Sequence, residues 1–191
     1  WPKGRLSQSE HDWIKSAVHE PWGEVILNAK LVRALGDLKA LKDTRIPRVS
    51  DASGAEQNLR ELEDILRACN WFTLPDSDEI SDWVQASSAI WGKEVVLRAG
   101  VLAERVAELG SLDNLTEKGL NNDWLARVIR FVLRDQPSLL EEHAIIPDGT
   151  GVFRKRSVPL QWNKGLSEEL IGIHHDLTGQ HYLVKTFHEC V

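Results

Sequence analysis

Four histidines crowd the last eighteen residues of this chain: His174, His175, His181 and His188, with Glu189 and Cys190 beside the last. Zinc takes three or four nitrogen or sulfur ligands that converge tetrahedrally. His174, His181 and His188 recur every seven residues. That is about two turns and roughly 10 Å on a continuous helix, too far apart for one ion. A break at Gly179 would let them fold together, but neither a C-x-x-C nor an H-E-x-x-H pattern supports a metal site. Surface or capping histidines are the expected reading, with no metal ligand assigned; a metal-dependent enzyme built on these histidines is the alternative.

The second group is Asp148-Gly149-Thr150-Gly151. Glycines flanking an Asp can let backbone approach a phosphate, but such a loop normally leads into a helix N-terminus. Here Val152-Phe153-Arg154-Lys155 follows, which reads as a strand. Asp and Gly also suit a turn requiring positive φ. The expectation is therefore a β-hairpin over 143–155 with its turn at 147–151, Asp148 and Thr150 exposed, and Asp148→Asn nearly silent. Alternation along a strand would turn one of Ile145 and Ile146 inward, beside Phe131 and Ile173.

Nucleophilic chemistry finds no pattern. There is no Gly-x-Ser-x-Gly elbow, P-loop or Gly-x-Gly-x-x-Gly sequence. The acidic pairs Glu61/Asp64, Glu141/Glu142 and Glu168/Glu169 fall on expected helices or their ends, where acid near a start favours the helix dipole. No catalytic residue and no cofactor-binding residue is assigned, and no cofactor is expected.

Eight tryptophans are the compositional excess. Trp13, Trp83 and Trp124 sit on apolar helical stripes and are expected in the core. Trp22, Trp71 and Trp162 sit in expected loops; they either seal those loops onto the core or, if exposed, suit binding of a partner.

The elements that must position these groups are mostly helical. Ser7 and Glu10 make a capping-box pattern ahead of Trp13, Ile14, Ala17 and Val18. Residues 24–35 read as a helix or an extended entry ending at Gly36. Arg45 to Val49 is short and β-biased, an edge or turn because Pro47 cannot donate to a ladder. After a loop at 51–54, Leu59, Leu62, Leu66 and Cys69 fall at helical spacing. Asp76 with Glu79 suggests another capping box, leading to Ile80, Trp83, Val84, Ser87 and Trp91. A brief Val95-Val96-Leu97 run follows, then a helix through Leu102, Val106 and Leu109 ended by Gly110. Trp124, Val128, Phe131 and Val132 mark a helix ending before Pro137. Ser167 caps a helix through Leu170, Ile173 and Leu177 ended by Thr178-Gly179, and a last helix would carry Leu183, Phe187 and Cys190. The fold class expected is α+β, predominantly α-helical, with helices packed around a small β-hairpin: a helical subdomain over 1–120 and a helix-hairpin-helix subdomain over 121–191, or one continuous domain.

Composition limits the partners. With 42% apolar and 27% charged residues in 191, the chain can bury a core without a staple. The net charge is −6, whereas nucleic-acid binding needs Lys and Arg gathered to neutralise phosphates. The basic cluster Arg154-Lys155-Arg156 is expected to be a solvated strand edge, so no nucleic acid is expected. Two isolated cysteines, Cys69 and Cys190, make no disulfide framework. No apolar run reaches membrane-spanning length and no signal-peptide pattern opens the chain, so no membrane partner is expected and the cytoplasm is the expected location. The chain begins Trp1-Pro2-Lys3-Gly4 and contains no Met, which suggests a piece of a longer protein.

Four blocks, in order, resemble the region downstream of the ATPase in large Hsp90-like proteins of the sacsin / NO VEIN type and their bacterial relatives. They are Leu31-Val32-Arg33-Ala34-Leu35 leading to Ile46-Pro47-Arg48-Val49; Leu74-Pro75 with Ile80-Ser81-Asp82-Trp83; Leu102 to Leu109 with Gly110-Ser111-Leu112-Asp113-Asn114-Leu115; and Trp124-Leu125 through Phe131-Val132-Leu133 to Ala144-Ile145-Ile146-Pro147, then Gly151-Val152-Phe153 and Leu166-Ser167-Glu168-Glu169-Leu170. The family's fourth block reads as a helix, an I-(L/I)-P-N-x-x-G-x-F hairpin and an (I/L)-x-E-E-L helix. This chain has Asp148 where Asn is common, and one fewer turn residue. The resemblance covers about three quarters of the chain and implies a non-catalytic module of an ATP-driven, chaperone-like protein. The ATPase's own Asn-bearing helix and nucleotide loop are absent from the sequence. Expected partners are other domains of the parent protein or its clients. A helical adaptor that binds protein through exposed tryptophans is the alternative.

Overall fold

The computed structural model describes residues 7–17, 23–50, 55–86, 95–163, 165–188 and 190. Val18, Trp22, the loop at 51–54, the continuation through Ser87 to Trp91, and Glu189 lie outside them. The fold is α+β and mostly helical. The chain divides into two compact units that do not follow chain order: Trp1–Arg48 with Asn70–Arg98, and Val49–Cys69 with Ala99–Val191. The division expected at 120/121 falls inside the second of these.

In the first unit, α1 (Gln8–Ala17) begins at the expected capping box. Ser7 N donates to Glu10 Oε2 at 2.7 Å and Glu10 N donates to Ser7 Oγ at 3.4 Å. Ile14 and Ala17 face the core, but Trp13 is largely exposed. The segment 24–35 is not one helix. α2 (Gly23–Asn28) stops early and β1 (Lys30–Ala34) pairs antiparallel with β2 (Asp37–Ala40). Leu35 and Gly36 join them, both at positive φ, +56° and +78°. Two such residues make the turn whose twist matches a hairpin.

β3 (Ile46–Pro47) lies parallel to β4 (Val96–Leu97). Ile46 N donates to Val95 O and Arg48 N to Leu97 O, each at 2.8 Å, so Pro47 falls where no donor is required. α4 (Ile80–Ala86) packs against α1 and β3. The reciprocal capping box expected of Asp76 and Glu79 is not made. Asp76 N donates instead to Arg33 O at 2.8 Å. The buried Glu79 carboxylate lies 3.6 Å from Arg33 Nε and accepts from Trp83 Nε1 at 3.4 Å. Trp83 is fully buried among Ile14, Ile26, Val32, Leu41, Ile46 and Val96.

The second unit is built on α7 (Asn122–Asp135), which packs against α3 (Ala55–Cys69), α5 (Ala99–Leu109) and α8 (Leu139–Glu142). Asn121 Oδ1 caps α7 by accepting from Trp124 N at 2.9 Å. Trp124 is buried as expected, and its Nε1 donates to Ile65 O of α3 at 3.0 Å. Phe131 is also fully buried; burial of such a side chain stabilises by about 1.5–3 kcal/mol. Gly110, at φ +73°, ends α5, and Ser111 Oγ caps α6 (Leu112–Glu117). The expected hairpin is present as β5 (Ile146–Pro147) antiparallel to β6 (Phe153–Arg154). It is not the sole strand pair. β7 (Leu160–Trp162) runs parallel to β8 (His181–Leu183), with α9 (Glu168–Thr178) between them in sequence.

The last helix expected through Leu183, Phe187 and Cys190 is instead β8 followed by a 3-10 turn, Lys185–Phe187. All three of those side chains are buried. Their spacing mimics a helical stripe because a strand and a tight turn both face the same core.

Candidate functional site

Asp148 stands at the centre of a dense polar cluster in the second unit. It is 0% exposed, not solvated as the turn reading required. The hairpin turn itself is as expected: Asp148 N donates to Val152 O at 2.9 Å and Gly151 N to Asp148 O at 2.8 Å. The side chain then folds back over it. Oδ1 accepts from Thr150 N at 3.0 Å, Thr150 Oγ1 at 2.6 Å and Val152 N at 3.2 Å. Oδ2 accepts from Arg154 Nε at 2.8 Å and His181 Nδ1 at 3.0 Å. Burial pushes the Asp148 carboxyl pKa upward, but donation from the Thr150 side chain, from Arg154 and from the Thr150 amide, with the Arg154 charge, outweighs it and holds the group below its ordinary range.

An ionised carboxylate only accepts, so His181 presents a protonated Nδ1 to it. The pair has the geometry of a histidine oriented by an aspartate. Among the described residues, however, no hydroxyl or thiol lies within hydrogen-bond reach of His181 Nε2, so the third member of a nucleophilic triad is missing. The Asp148 oxygens are already saturated by five donors. The cluster ties the hairpin to β8, where Gly149 N also donates to Tyr182 O at 2.5 Å.

The C-terminal histidines do not converge on one point. His174 Nδ1 lies 3.1 Å from Thr178 Oγ1 and 3.3 Å from the Tyr182 hydroxyl. The His188 ring packs on Trp162 with centroids 4.7 Å apart, and its Nε2 donates to Leu183 O at 3.3 Å. The rings of His175 and His181 approach to 4.8 Å. Among the described residues, no group of three or more His, Cys, Asp or Glu side chains is placed to hold a metal. Cys69 and Cys190 are buried free thiols.

Three expectations are corrected around this cluster. Ile145, just before β5, and Ile146, on it, are both fully buried, since strand alternation does not extend to Ile145. Ile173 is half exposed and takes no place beside Phe131. Arg154 is no solvated edge residue, since Asp148 holds it, whereas Lys155 and Arg156 are exposed.

α9 explains the second correction. Ser167 Oγ caps it by accepting from Leu170 N at 3.3 Å, and Gly179 ends it at φ +68°. Both termini are where the sequence places them, but the face is reversed. Ile171 is buried against Gly149, where an added Cβ would stand 2.5 Å from Ile171 Cγ2. The stripe Leu166, Leu170, Ile173 and Leu177 points to solvent, at 39%, 51%, 50% and 79% exposure.

A cavity of about 240 Å³ opens beside β7, lined by Ile146, Arg156, Val158, Pro159, Leu160, Trp162 and Leu183. Leu160 and Trp162 are two residues apart on β7 and so share a sheet face. Trp162 is mostly exposed, whereas Trp71 is half-buried. The sequence signals Trp162 but not this site, because β7 and β8 are three residues each and meet only through α9. The run His181-Tyr182-Leu183-Val184 after Gly179 is β-biased and could have marked β8.

No helix among the described residues is long and apolar enough to cross a membrane. No protein-family model matches this chain, and no solved structure matches it.

Proposed function

We propose that this chain is a non-catalytic binding module of a large, cytoplasmic, Hsp90-like ATP-driven protein, contacting another domain of that protein or a client. The observation that carries the reading is the outward stripe of Leu166, Leu170, Ile173 and Leu177. Scattered exposed apolar residues are ordinary, but three along one face of α9, with Leu166 just before its cap, make an apolar stripe of the kind that marks an interaction surface. The helix-hairpin-helix order of the fourth sequence block supports the Hsp90-like context. Saturation of Asp148 by its five donors supports a binding role over a catalytic one. A helical adaptor acting through exposed tryptophan is the second reading, favoured by Trp162 at the mouth of its cavity.

Hydrogen exchange tests the first reading. Amides of 166–178 should exchange more slowly in the full-length parent protein than in the isolated chain, and the difference should change with ATP. Equal exchange in both, with and without ATP, refutes it.

A further inference from the structure

We infer that the cavity beside β7 receives one large apolar side chain from an extended peptide segment carrying an acidic residue within two positions of that anchor. The inference rests on the reading of this chain as a binding module and does not depend on an Hsp90-like parent.

Size comes first. About 240 Å³ falls below the roughly 300–1,000 Å³ typical of small-molecule and cofactor sites. It suits a single Leu, Phe or Trp side chain acting as the central anchor of an interface. The walls agree: Ile146, Val158, Leu160 and Leu183 are aliphatic, and Trp162 supplies an exposed aromatic face. Trp162 packs against the His188 ring, which Leu183 O holds in turn. The anchor pocket is therefore preformed, which reduces the ordering cost of binding.

The backbone beside the cavity explains why the ligand is extended. β8 is paired on both sides, with β7 through Leu160–His181, Gln161–Tyr182 and Trp162–Leu183, and with the hairpin through the Asp148–Leu183 bridge. β7 pairs with β8 and with no other strand among the described residues. Its outer edge thus offers main-chain donors and acceptors next to the pocket, the arrangement that accepts an added peptide strand. Side chains of such a strand alternate, so one enters the pocket while its neighbours stay outside.

Charge fixes the flanking residue. Arg156 lines the cavity, is exposed, and has no ion-pair partner among the described residues; Lys155 beside it is exposed as well. In a chain of net charge −6 this is a local positive spot at the mouth of an apolar pocket. A carboxylate near the anchor would meet the Arg156 guanidinium, which suits planar bidentate pairing. Two exposed cations and one aromatic are too few for nucleic acid, whose affinity grows with the number of phosphates neutralised.

Fluorescein-labelled eight-residue peptides with central Glu-Leu-Glu, Glu-Phe-Glu, Glu-Ala-Glu or Lys-Phe-Lys, and a labelled uridine octanucleotide, test this by anisotropy against the whole chain. The Leu and Phe peptides flanked by Glu should bind saturably, and the Ala-centred peptide at least about tenfold more weakly. Trp162→Ala should abolish binding. Arg156→Glu, at an exposed side chain that folding does not need, should weaken the Glu-flanked peptides at least about tenfold and favour Lys-Phe-Lys. No saturable binding, equal binding of the Ala-centred peptide, an unchanged Arg156→Glu variant, or preferential binding of the octanucleotide would each overturn the inference. Slowed exchange of α9 in the parent with no peptide binding removes the pocket and leaves the module reading in place. Peptide binding with unchanged α9 exchange keeps the pocket and removes the α9 stripe as the module's interface.

Discussion

Replacing Asp148 with Asn separates a turn residue from a buried hub. If Asp148 only shaped the turn, Asn would serve equally, because both tolerate it. In the structure, an Asn there keeps one carbonyl oxygen and turns an NH2 group towards donors. If the oxygen stays on Thr150 and Val152, the NH2 group faces Arg154 Nε and His181 Nδ1, now 2.8 and 3.0 Å from Oδ2. Arg154 and His181 keep only 29% and 21% exposure, so water replaces the lost acceptor poorly. Hydrogen bonds to charged groups contribute about 1.5–3 kcal/mol, and the expected cost is about 3 kcal/mol at pH 7. At roughly 2–4 °C per kcal/mol for a chain of this size, the Tm should fall by about 6–12 °C. The pH dependence provides an independent readout. An unfolded Asp titrates near about 3.9, and Asp148 in the fold lies lower. The unfolded chain then takes up its proton first. The Asp148 contribution is therefore complete above about pH 5 and is lost as pH falls through the folded value. Urea titrations of both proteins from pH 7 to pH 3 should show a gap that narrows at the acid end. A variant within about 0.5 kcal/mol of the parent chain at pH 7, the scatter of ordinary surface changes, would refute the hub and restore the simple turn.

Two further outcomes follow from α9. Gly149→Ala should destabilise by at least about 1–3 kcal/mol, an overpacking cost, because its Cβ would stand 2.5 Å from Ile171 Cγ2 and 3.4 Å from Tyr182 Cβ; urea denaturation measures it, and a neutral result would show that α9 shifts freely. Leu177→Ser should change stability by less than about 0.5 kcal/mol, since the side chain is 79% exposed; a loss of several kcal/mol in the isolated chain would mean that the stripe is core.

Local signals determined much of this protein. Ser7, Ser167 and Gly179 mark helix ends because capping and left-handed termination involve only a few neighbouring residues. Pro147 to Gly151 marks the hairpin for the same reason, and Gly151 supplies its positive φ of +82°. The strong stripe of α7 placed Trp124 and Phe131 inside. Tertiary structure alone decided which face of α9 is buried. A helix bearing apolar residues on more than one side does not specify its contact side, and the close approach of Ile171 to Gly149 selected it. Long-range pairing likewise decided β7 and β8, whose three-residue strands have too little pattern to show in sequence until they meet across α9. Asp148 shows both levels at once. Its residue type specifies a turn through neighbours within four positions, but His181, thirty-three residues away, helps make it a buried anchor. No local rule contains that partner.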